Sequence, residues 1–294
     1  MKVGVALPIG EDVERGETPG YAQVRGMARE AEAAGLDSIW LYDHLLFRRD
    51  DKPTAGIWEI WTTLSALAEA TERVELGTLV MCVPFRNPAV LAKMADTLDE
   101  VSAGRLILGL GAGWHQPEFD AFGVPFDHLA SRFEEALQII GPLLRDGKVD
   151  FRGTYYGAPN CELRPRGPRP AGPPILIGSS KPRMLRLTAQ YADAWNTCWL
   201  GSVEALAEPR ATMEDACREV GRDPKTLEVT VGVSVSYRGE RPDPLKALSG
   251  SPEEIAAGLT GYAAADVGHV ICALSPNTPE SLARFIEAFK VYQS

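Results

Sequence analysis

The stretch RLILGLGAGWHQPEF, residues 105–119, decides between the folds that this chain could adopt. It begins as an aliphatic run typical of a buried strand and then opens into glycines at Gly109, Gly111 and Gly113. A dinucleotide-binding fingerprint needs glycine at the first, third and sixth places of such a loop, so that a helix can pack closely against the strand. The sixth place is Trp114, whose side chain is too bulky for that packing. The stretch therefore disfavours a Rossmann fold.

Strand-like and helix-like segments alternate on both sides of this stretch. Most strand segments are continuous apolar runs, as expected for strands that are covered on both faces. Several helices are predicted to begin at a side-chain cap followed by proline, which has no N–H to lose at the first helical position. These starts are Thr18-Pro19, Asn87-Pro88, Ser251-Pro252 and Thr278-Pro279. The predicted strands are residues 3–7, 38–44, 74–81, 105–111, 174–180, 193–199, 227–237 and 269–274.

Eight such β-α units in 294 residues predict an α/β protein with a (β/α)8 TIM barrel, in one domain spanning residues 1–294. A doubly wound open sheet is the alternative, but its first turn should carry the glycine fingerprint. Residues 6–19, ALPIGEDVERGETP, do not carry it. One segment interrupts the alternation: residues 148–173, between the fourth helix and the fifth strand, are rich in Pro, Gly and Arg. We predict an insertion there, with a short hairpin and a covering loop.

Composition excludes several classes of function. The net charge of −10 makes nucleic acid a poor partner. No apolar run reaches the roughly 18 residues of a membrane span, and the amino end is typical of a strand and not of a secretory signal. The five cysteines are scattered and never in C-x-x-C spacing, which favours a reduced, cytoplasmic setting. No Walker loop or G-x-S-x-G elbow occurs, so the sequence gives no sign of a P-loop nucleotide site or a serine hydrolase. No H-E-x-x-H motif occurs either, and no metal site is predicted.

The candidate catalytic residue is His44, at the end of the second predicted strand. Catalytic residues of such barrels come from the carboxyl ends of the strands, so we expect His44 to face the mouth and exchange a proton. Asp43 precedes it, but neighbouring strand residues face opposite ways, so the two are not a ready-made acid–base pair. The spacing of His115 and Glu118 is too common to indicate a metal site.

The remaining strand ends are small, aromatic and weakly polar, which suits a flat apolar ring. The glycines of the fourth exit are predicted to let a planar ligand lie close to the backbone. Close packing inside the barrel is the alternative, above all for Gly109. Gly178, Ser179 and Ser180 lead into a helix, whose amino-terminal N–H groups and dipole attract a phosphate. In the alternative interpretation, Ser180 only caps that helix.

Several blocks together resemble one known family. DSIWLYDHL, ELGTLVMCVPFRNPAVLAK, GRLILGLGAGWHQPEFDAFG and PPILIGSSKPRMLRLTAQYADAWN occur in the order and spacing of the bacterial luciferase-like monooxygenase superfamily. The resemblance covers nearly the whole chain. It implies a (β/α)8 barrel that binds FMN or the 8-hydroxy-5-deazaflavin coenzyme F420. The GLGAGWHQPEFDAFG block is more similar to the F420-using branch.

The resemblance also implies roles for individual positions. His44 would lie near the reactive face of the ring, and a non-prolyl cis peptide that bulges against the ring is implied at Leu79-Val80. The phosphate-binding loop corresponds to residues 178–180. The predicted cofactor-binding residues are therefore Asp43, Thr78, Leu79, Val80, Gly111, Ala112, Gly113, Gly178, Ser179 and Ser180.

One position departs from the family pattern. Similar deazaflavin sugar-phosphate dehydrogenases have a Glu, acting as the acid, directly after the fourth-strand G-x-G, where this chain has Trp114. A larger, more apolar substrate fits better than a sugar phosphate. The predicted wall of its pocket contains Trp58, Trp61, Trp114 and His115.

The sequence therefore predicts hydride transfer between F420 and a fairly apolar organic substrate. The alternatives are an FMN-dependent monooxygenase that uses reduced flavin and O2, and a flavin-binding barrel subunit without catalysis. A homodimer is a family-level expectation. The acidic tail of F420 would need a positive track beside the phosphate loop. Two segments could supply it: Lys181, Arg183 and Arg186 at the start of the helix after that loop, and Arg164, Arg166 and Arg169 of the insertion. In the alternative interpretation, these are ordinary solvated charges.

Overall fold

The computed structural model describes residues 1–50, 52–237 and 247–294. In chain order, its strands are β1 Lys2–Ala6, β2 Ser38–Leu41, β3 Leu46–Arg49, β4 Lys52–Gly56, β5 Glu75–Thr78, β6 Met81–Cys82, β7 Leu106–Gly111, β8 Lys148–Arg152, β9 Gly157–Glu162, β10 Ile175–Gly178, β11 Ala194–Cys198, β12 Glu228–Ser236 and β13 His269–Ser275. The helices are α1 Tyr21–Ala33, α2 Ile60–Ala70, α3 Pro88–Val101, α4 Gln116–Phe122, α5 Leu129–Asp146, α6 Pro182–Tyr191, α7 Ala207–Glu219, α8 Pro252–Ala264 and α9 Pro279–Gln293.

Eight of the described strands close into a parallel barrel, so the predicted TIM barrel is confirmed. Their order around the barrel is β1, β2, β5, β7, β10, β11, β12 and β13, and β13 pairs with β1 to close the ring. Val5 lies opposite Cys272 at the closure, and Ile175 lies opposite Leu108 where β10 joins β7. Because every pairing around the closed ring is parallel, all eight carboxyl ends meet at one mouth.

Three of the predicted proline-containing caps are present. The side chains of Asn87, Ser251 and Thr278 accept backbone N–H groups of α3, α8 and α9, and Ser251 forms a full capping box with Glu254. The cap predicted at Thr18-Pro19 is wrong, because α1 begins at Tyr21 after Gly20, which gives no side-chain cap.

Residues 148–173 contain an antiparallel hairpin of β8 and β9 that packs along α5. At its turn, the carboxylate of Glu135 accepts the backbone N–H groups of residues 154–156. The arginines that follow lie at the opposite end of the barrel from the mouth. Arg169 donates to Asp99 and to the carbonyl of Leu106, where β7 begins, and Arg166 donates to the carbonyl of Leu144 near the end of α5. The insertion's part of the predicted positive track is therefore wrong, because α3, α5 and the start of β7 hold Arg166 and Arg169 at that end. The other part, at the start of α6, stays a prediction.

Two elements stand outside the predicted alternation, and both lie at the mouth. The hairpin of β3 and β4 follows β2, and the short helix α4 follows β7 and is terminated by Gly123 in the left-handed conformation. They interrupt the chain where a strand end meets the next helix, which is where such barrels carry their chemistry.

The interior of the barrel is filled by a cluster distinct from the core between sheet and helices. Trp40 is fully buried there and packs with Ile107, Leu176 and Ile271, beneath Leu79 and Val80. Its indole Nε1–H donates to the Ser38 hydroxyl at 2.7 Å, which is in turn hydrogen-bonded to Nε2 of His269 at 2.7 Å. Side chains therefore fill the barrel interior beneath Leu79 and Val80.

His269 gives this interior a dependence on pH. Burial lowers the pKa of its imidazole from 6.5 to about 3, so the unfolded chain takes up the proton first as pH falls. The contribution of the neutral imidazole to the free energy of unfolding is fully present above the pKa of His269 in the unfolded chain. It is lost as pH falls toward the lower pKa of the folded protein. We expect wild type to lose about 2–3 kcal/mol more free energy of unfolding than His269→Gln between about pH 7 and about pH 4.5.

Urea unfolding at a series of pH values measures this difference. Since both proteins share every other titrating group, only the difference between their pH slopes is attributed to His269. Parallel slopes for the two proteins would show that the imidazole does not stay neutral in the folded barrel.

Candidate active site

Two connected cavities open at the mouth of the barrel. The first, which we call the mouth cavity, has a volume of about 480 Å³, and the second, the loop cavity, has about 420 Å³. The mouth cavity lies beside the ends of β2 and β7, whereas the loop cavity reaches the turn between β10 and α6. Both are lined by Leu79, Val80, Gly111, Gly113, Trp114 and Cys198. The shared lining makes them two ends of one groove.

The floor of this groove is a bulge between β5 and β6. The peptide bond Leu79-Val80 is cis, as the resemblance implied, and both residues line the two cavities. Thr78 lies behind them and is fully buried. Its hydroxyl donates to the carbonyl of Gly109 and accepts from the N–H of the same residue, each at 2.8 Å. Thr78 therefore attaches the bulge to β7 and does not itself line the groove.

The glycines of β7 make room for the protein's own bulge. A Cβ on Gly109 would overlap the carbonyl oxygen of Thr78, and one on Gly111 would lie 2.6 Å from Cγ2 of Val80. Gly113 has a φ of +83° and faces the side chains of Phe119 and Cys82. The short distances from a hypothetical Cβ therefore indicate the alternative interpretation for Gly109, which is close packing inside the barrel. Gly111, Ala112 and Gly113 also line the loop cavity, so contact with a ring stays a prediction for them.

His44 lines the mouth cavity and is held by a carboxylate that the sequence did not reveal. Its Nδ1 lies 2.8 Å from Oε1 of Glu118, and the other carboxylate oxygen accepts the N–H of Leu45 at 2.8 Å. The Glu118 side chain is only 1% exposed, so α4 delivers a buried acid to the back of the imidazole. Because a carboxylate only accepts hydrogen bonds, Nδ1 carries the proton in this pair and Nε2 is left for a ligand.

Aromatic rings surround the His44 imidazole. Phe47 lies with its ring centroid 4.3 Å away, and Trp114 packs edge-on at 5.6 Å. His115 does not line the mouth cavity: it is buried behind these two rings, where its Nε2 accepts the backbone N–H of Arg48. Desolvation lowers the pKa of His115, consistent with an accepting, neutral imidazole. His115 thus joins α4 to the β3–β4 hairpin.

Asp43 belongs to an ion network under the mouth cavity. Its carboxylate accepts from Arg86 at 2.6 Å and from the backbone N–H of Cys82 at 2.8 Å, and Arg86 also donates to Glu59 at 2.7 Å. Burial raises the pKa of Asp43, and the guanidinium of Arg86 opposes that rise. Glu59 caps α2 as well, so the network joins the end of β2, the start of α2 and the segment after the bulge.

The turn after β10 lines the loop cavity with Gly178, Ser179, Ser180 and Lys181. The helix α6 begins immediately afterwards, and its N-cap, Lys181, makes no side-chain cap hydrogen bond. Ser180 is therefore not the cap, contrary to the alternative interpretation. The Ser179 hydroxyl is hydrogen-bonded to Thr188 at 2.9 Å. An uncapped helix start that faces a cavity leaves backbone N–H groups for an anion.

Two predicted pocket residues lie elsewhere. Trp61 packs in the core from the first turn of α2, and the indole of Trp58 donates to the carbonyl of Pro19 on the outer surface. Neither is among the residues that line the groove, because α2 turns Trp61 inward and Pro19 holds Trp58 outside. The sequence predicted them in the pocket only because they are aromatic residues that follow a strand end.

A cavity of about 560 Å³ lies at the opposite end, where β12 and β13 begin beneath α7. Burial raises the pKa of Glu228 there, but the predicted catalytic and cofactor-binding residues do not line it. In barrels of this type that end contributes to stability. Within residues 1–50, 52–237 and 247–294, no cluster of three or more His, Cys, Asp or Glu could hold a metal ion. No helix in the same part of the chain is long and apolar enough to span a membrane.

Residues 1–268 match the family model described as luciferase-like monooxygenase. A pyrimidine monooxygenase RutA of Methylobacterium radiotolerans is 32% identical over 242 residues, covering 76% of this chain and 61% of the relative. An F420-dependent glucose-6-phosphate dehydrogenase of Kineococcus radiotolerans is 33% identical over 215 residues, covering 69% of this chain and 61% of the relative. The chain thus spans about three fifths of the length of these relatives.

A solved structure of similar fold is an F420-dependent secondary alcohol dehydrogenase in complex with an F420-acetone adduct. It has a TM-score of 0.82 and 20% sequence identity, and the match covers 100% of this chain and 99% of that one. At 20% identity this similarity shows a shared fold and not a shared chemistry.

Proposed function

This chain belongs to the luciferase-like monooxygenase family, and from that premise we propose that it is an oxidoreductase exchanging a hydride between F420 and a fairly apolar organic substrate. The observation that carries the proposal is one groove with a buried His–Glu pair at one end and an uncapped helix start at the other. We also propose that residues 1–294 act as one catalytic domain. A homodimer stays a prediction.

The donor set of the groove fits a phosphorylated tricyclic coenzyme. Ser180, Lys181 and the first N–H groups of α6 would hold the phosphate. Leu79 and Val80 would support the ring from below, and Gly111 to Gly113 would lie along its edge. When bound, the deazaflavin supplies a site that gives or takes two electrons as hydride.

His44 would handle the proton that accompanies the hydride. Oxidation of a substrate removes one hydride from carbon and one proton from its heteroatom, and reduction adds both. With Nδ1 held by Glu118, the imidazole presents Nε2 for that proton in either direction. The negative carboxylate behind the ring stabilises the imidazolium that forms when Nε2 is protonated.

The remaining residues of the groove orient ligands and keep water away from the imidazole. Phe47 and Trp114 cover His44 from two sides with apolar surface. The Asp43–Arg86 pair fixes the segment after the bulge through the N–H of Cys82. We regard Asp43 and Arg86 as positioning residues because their polar atoms are used within the protein.

The second candidate function is an FMN-dependent monooxygenase that uses reduced flavin and O2. The similarity to pyrimidine monooxygenases favours this alternative, and a phosphate-binding helix start serves either coenzyme. A barrel subunit without catalysis is disfavoured by the pairing of His44 with a buried carboxylate inside the groove.

Equilibrium binding of F420 and FMN to the purified protein tests the proposal. We expect F420 to bind at least about tenfold more tightly than FMN, because its acidic tail would add contacts to the cations at the start of α6 beyond the shared phosphate. We expect Lys181→Gln to weaken both coenzymes by about fivefold to tenfold, since it removes a cation beside the phosphate.

Arg164→Gln is the control for the lysine variant. Arg164 is 84% exposed and belongs to the segment at the far end of the barrel, so its loss should change neither affinity. Clearly tighter binding of FMN would replace the main proposal by the monooxygenase, and binding of neither coenzyme would remove both.

A further inference from the structure

We propose that the substrate is a flat apolar molecule that carries an anionic group, such as an aromatic carboxylate, and that Arg49 binds that group at the rim of the mouth cavity. The inference rests on the proposed function, because it assigns the substrate class of the same site. It deepens that proposal by naming the charge of the substrate and the residue that recognises it.

The apolar part of the substrate is indicated by the rings at the rim. Phe47, Trp114 and Trp199 line the mouth cavity from β3, from the exit of β7 and from the exit of β11. Trp114 is 61% exposed and Trp199 is 42% exposed, unusually high values for tryptophan side chains. Large aromatic surfaces that face an open cavity gain stability when a flat ligand covers them.

The anionic part is indicated by the balance of charge in the lining. The two carboxylates that line the mouth cavity in the described part of the chain are already engaged, Asp43 by Arg86 and Glu118 by His44. Arg49 also lines the cavity, two residues after Phe47 on β3, and forms no ion pair with any residue that the structure describes. The chain as a whole carries a net charge of −10, so a local cation is what allows an anion to approach. A guanidinium also matches a carboxylate with two parallel hydrogen bonds.

The position of Arg49 favours the substrate over the coenzyme as the source of the anion. The coenzyme phosphate is assigned to the loop cavity, whose lining includes Lys181 but not Arg49. Arg49 lies on the side of the groove that holds His44 and Phe47. A carboxylate bound by Arg49 would therefore anchor a ring beside the imidazole that exchanges the proton.

Calorimetric titration with two probes of nearly equal shape tests the inference. The probes are 2-naphthoate, which is anionic, and 2-naphthamide, which is neutral. We expect wild type to bind the naphthoate about tenfold more tightly, and Arg49→Gln to lose most of that preference while its affinity for the amide stays within about twofold. Arg49→Lys should keep part of the preference, because it keeps the charge without the planar fork.

Arg48→Gln is the matched control. Arg48 is the neighbouring arginine of β3, its side chain does not line the cavity, and its bond to His115 uses the backbone N–H, which the substitution retains. Both probes should bind this variant as they bind wild type. Equal affinity of wild type for the two probes, no measurable naphthoate binding, or equal losses in the two glutamine variants would each overturn the inference.

F420 and FMN titrations of Arg49→Gln separate the two sources of an anion. If the variant loses F420 affinity and keeps its preference for naphthoate, Arg49 binds the coenzyme tail and the inference is wrong. Since the naphthoate titrations need no coenzyme, a failure of wild type to bind either coenzyme would remove the proposed function without deciding the role of Arg49.

Discussion

His44→Ala is expected to lower turnover by about 100-fold or more while coenzyme affinity stays within about twofold. The imidazole is placed to exchange the proton, and the phosphate contacts that we assign to the coenzyme lie at the other end of the groove. Single-turnover absorbance of the coenzyme, with any substrate on which the wild type acts, measures the loss. Imidazole added to the solution should restore part of the rate, a response that a packing role would not give.

Glu118→Gln provides the companion measurement, because it keeps the size of the side chain and removes its charge. We expect turnover to fall at least about tenfold, and the double variant with His44→Ala to be no slower than His44→Ala alone. Additive losses would mean that Glu118 acts independently of the imidazole. Wild-type turnover in His44→Ala would reduce His44 to a packing residue.

Arg86→Met is expected to lower the free energy of unfolding by about 3–5 kcal/mol, because it leaves the buried carboxylate of Asp43 without its cation. The side chain of Asp43 is 1% exposed, and burial already raises its pKa. Without Arg86 that pKa should rise further, and the carboxyl should take up a proton. Urea unfolding at neutral pH measures the loss, and coenzyme titration reports whether the segment after the bulge keeps its conformation.

Arg218→Met is the matched control, since Arg218 also bonds two carboxylates, Glu214 and Asp215. Its side chain is 58% exposed, so we expect a loss below about 1 kcal/mol. If Arg86→Met does not fold, Arg86→Lys keeps a positive charge and should lose less stability than the methionine variant. Equal losses for Arg86→Met and Arg218→Met would show that burial does not strengthen the Asp43 pair.

The barrel was predictable from the sequence because its determinants are local. Apolar runs, glycine stops and caps such as Asn87 and Ser251 act within a few residues, and they repeat often enough to set the architecture. The cap at Thr18-Pro19 failed for the same reason: the local signal was present, but the helix begins later, after Gly20.

The candidate site was predictable where a strand end alone places the residue. His44, Leu79 and the turn after β10 line the groove because they follow barrel strands. Glu118 was not recognised, since its partner lies 74 positions earlier and α4 falls outside the strand–helix alternation. The arginines of the insertion failed likewise, because a charge pattern does not indicate which end of a barrel a loop will reach.

The two excursions from the barrel, which are the β3–β4 hairpin and the helix α4, carry several residues of the candidate site. Phe47 and Arg49 lie on the β3–β4 hairpin, and Glu118 lies on α4. The buried His115 bonds the hairpin to the start of α4, so the two excursions form a single support for the His44 imidazole. A substitution that displaces the backbone of either element is therefore expected to act on both the proton-exchanging residue and the rim.

The packed interior around Trp40 affects the order in which ligands bind and leave. Because this indole and its neighbours fill the barrel beneath Leu79 and Val80, both ligands have to arrive and depart through the same opening. A substrate held between the rings of the rim lies above a coenzyme that rests on the bulge. We therefore expect productive turnover to begin with the coenzyme and end with its release, whereas a substrate that binds the coenzyme-free protein forms a dead-end complex and a bound product obstructs coenzyme exchange until it has dissociated.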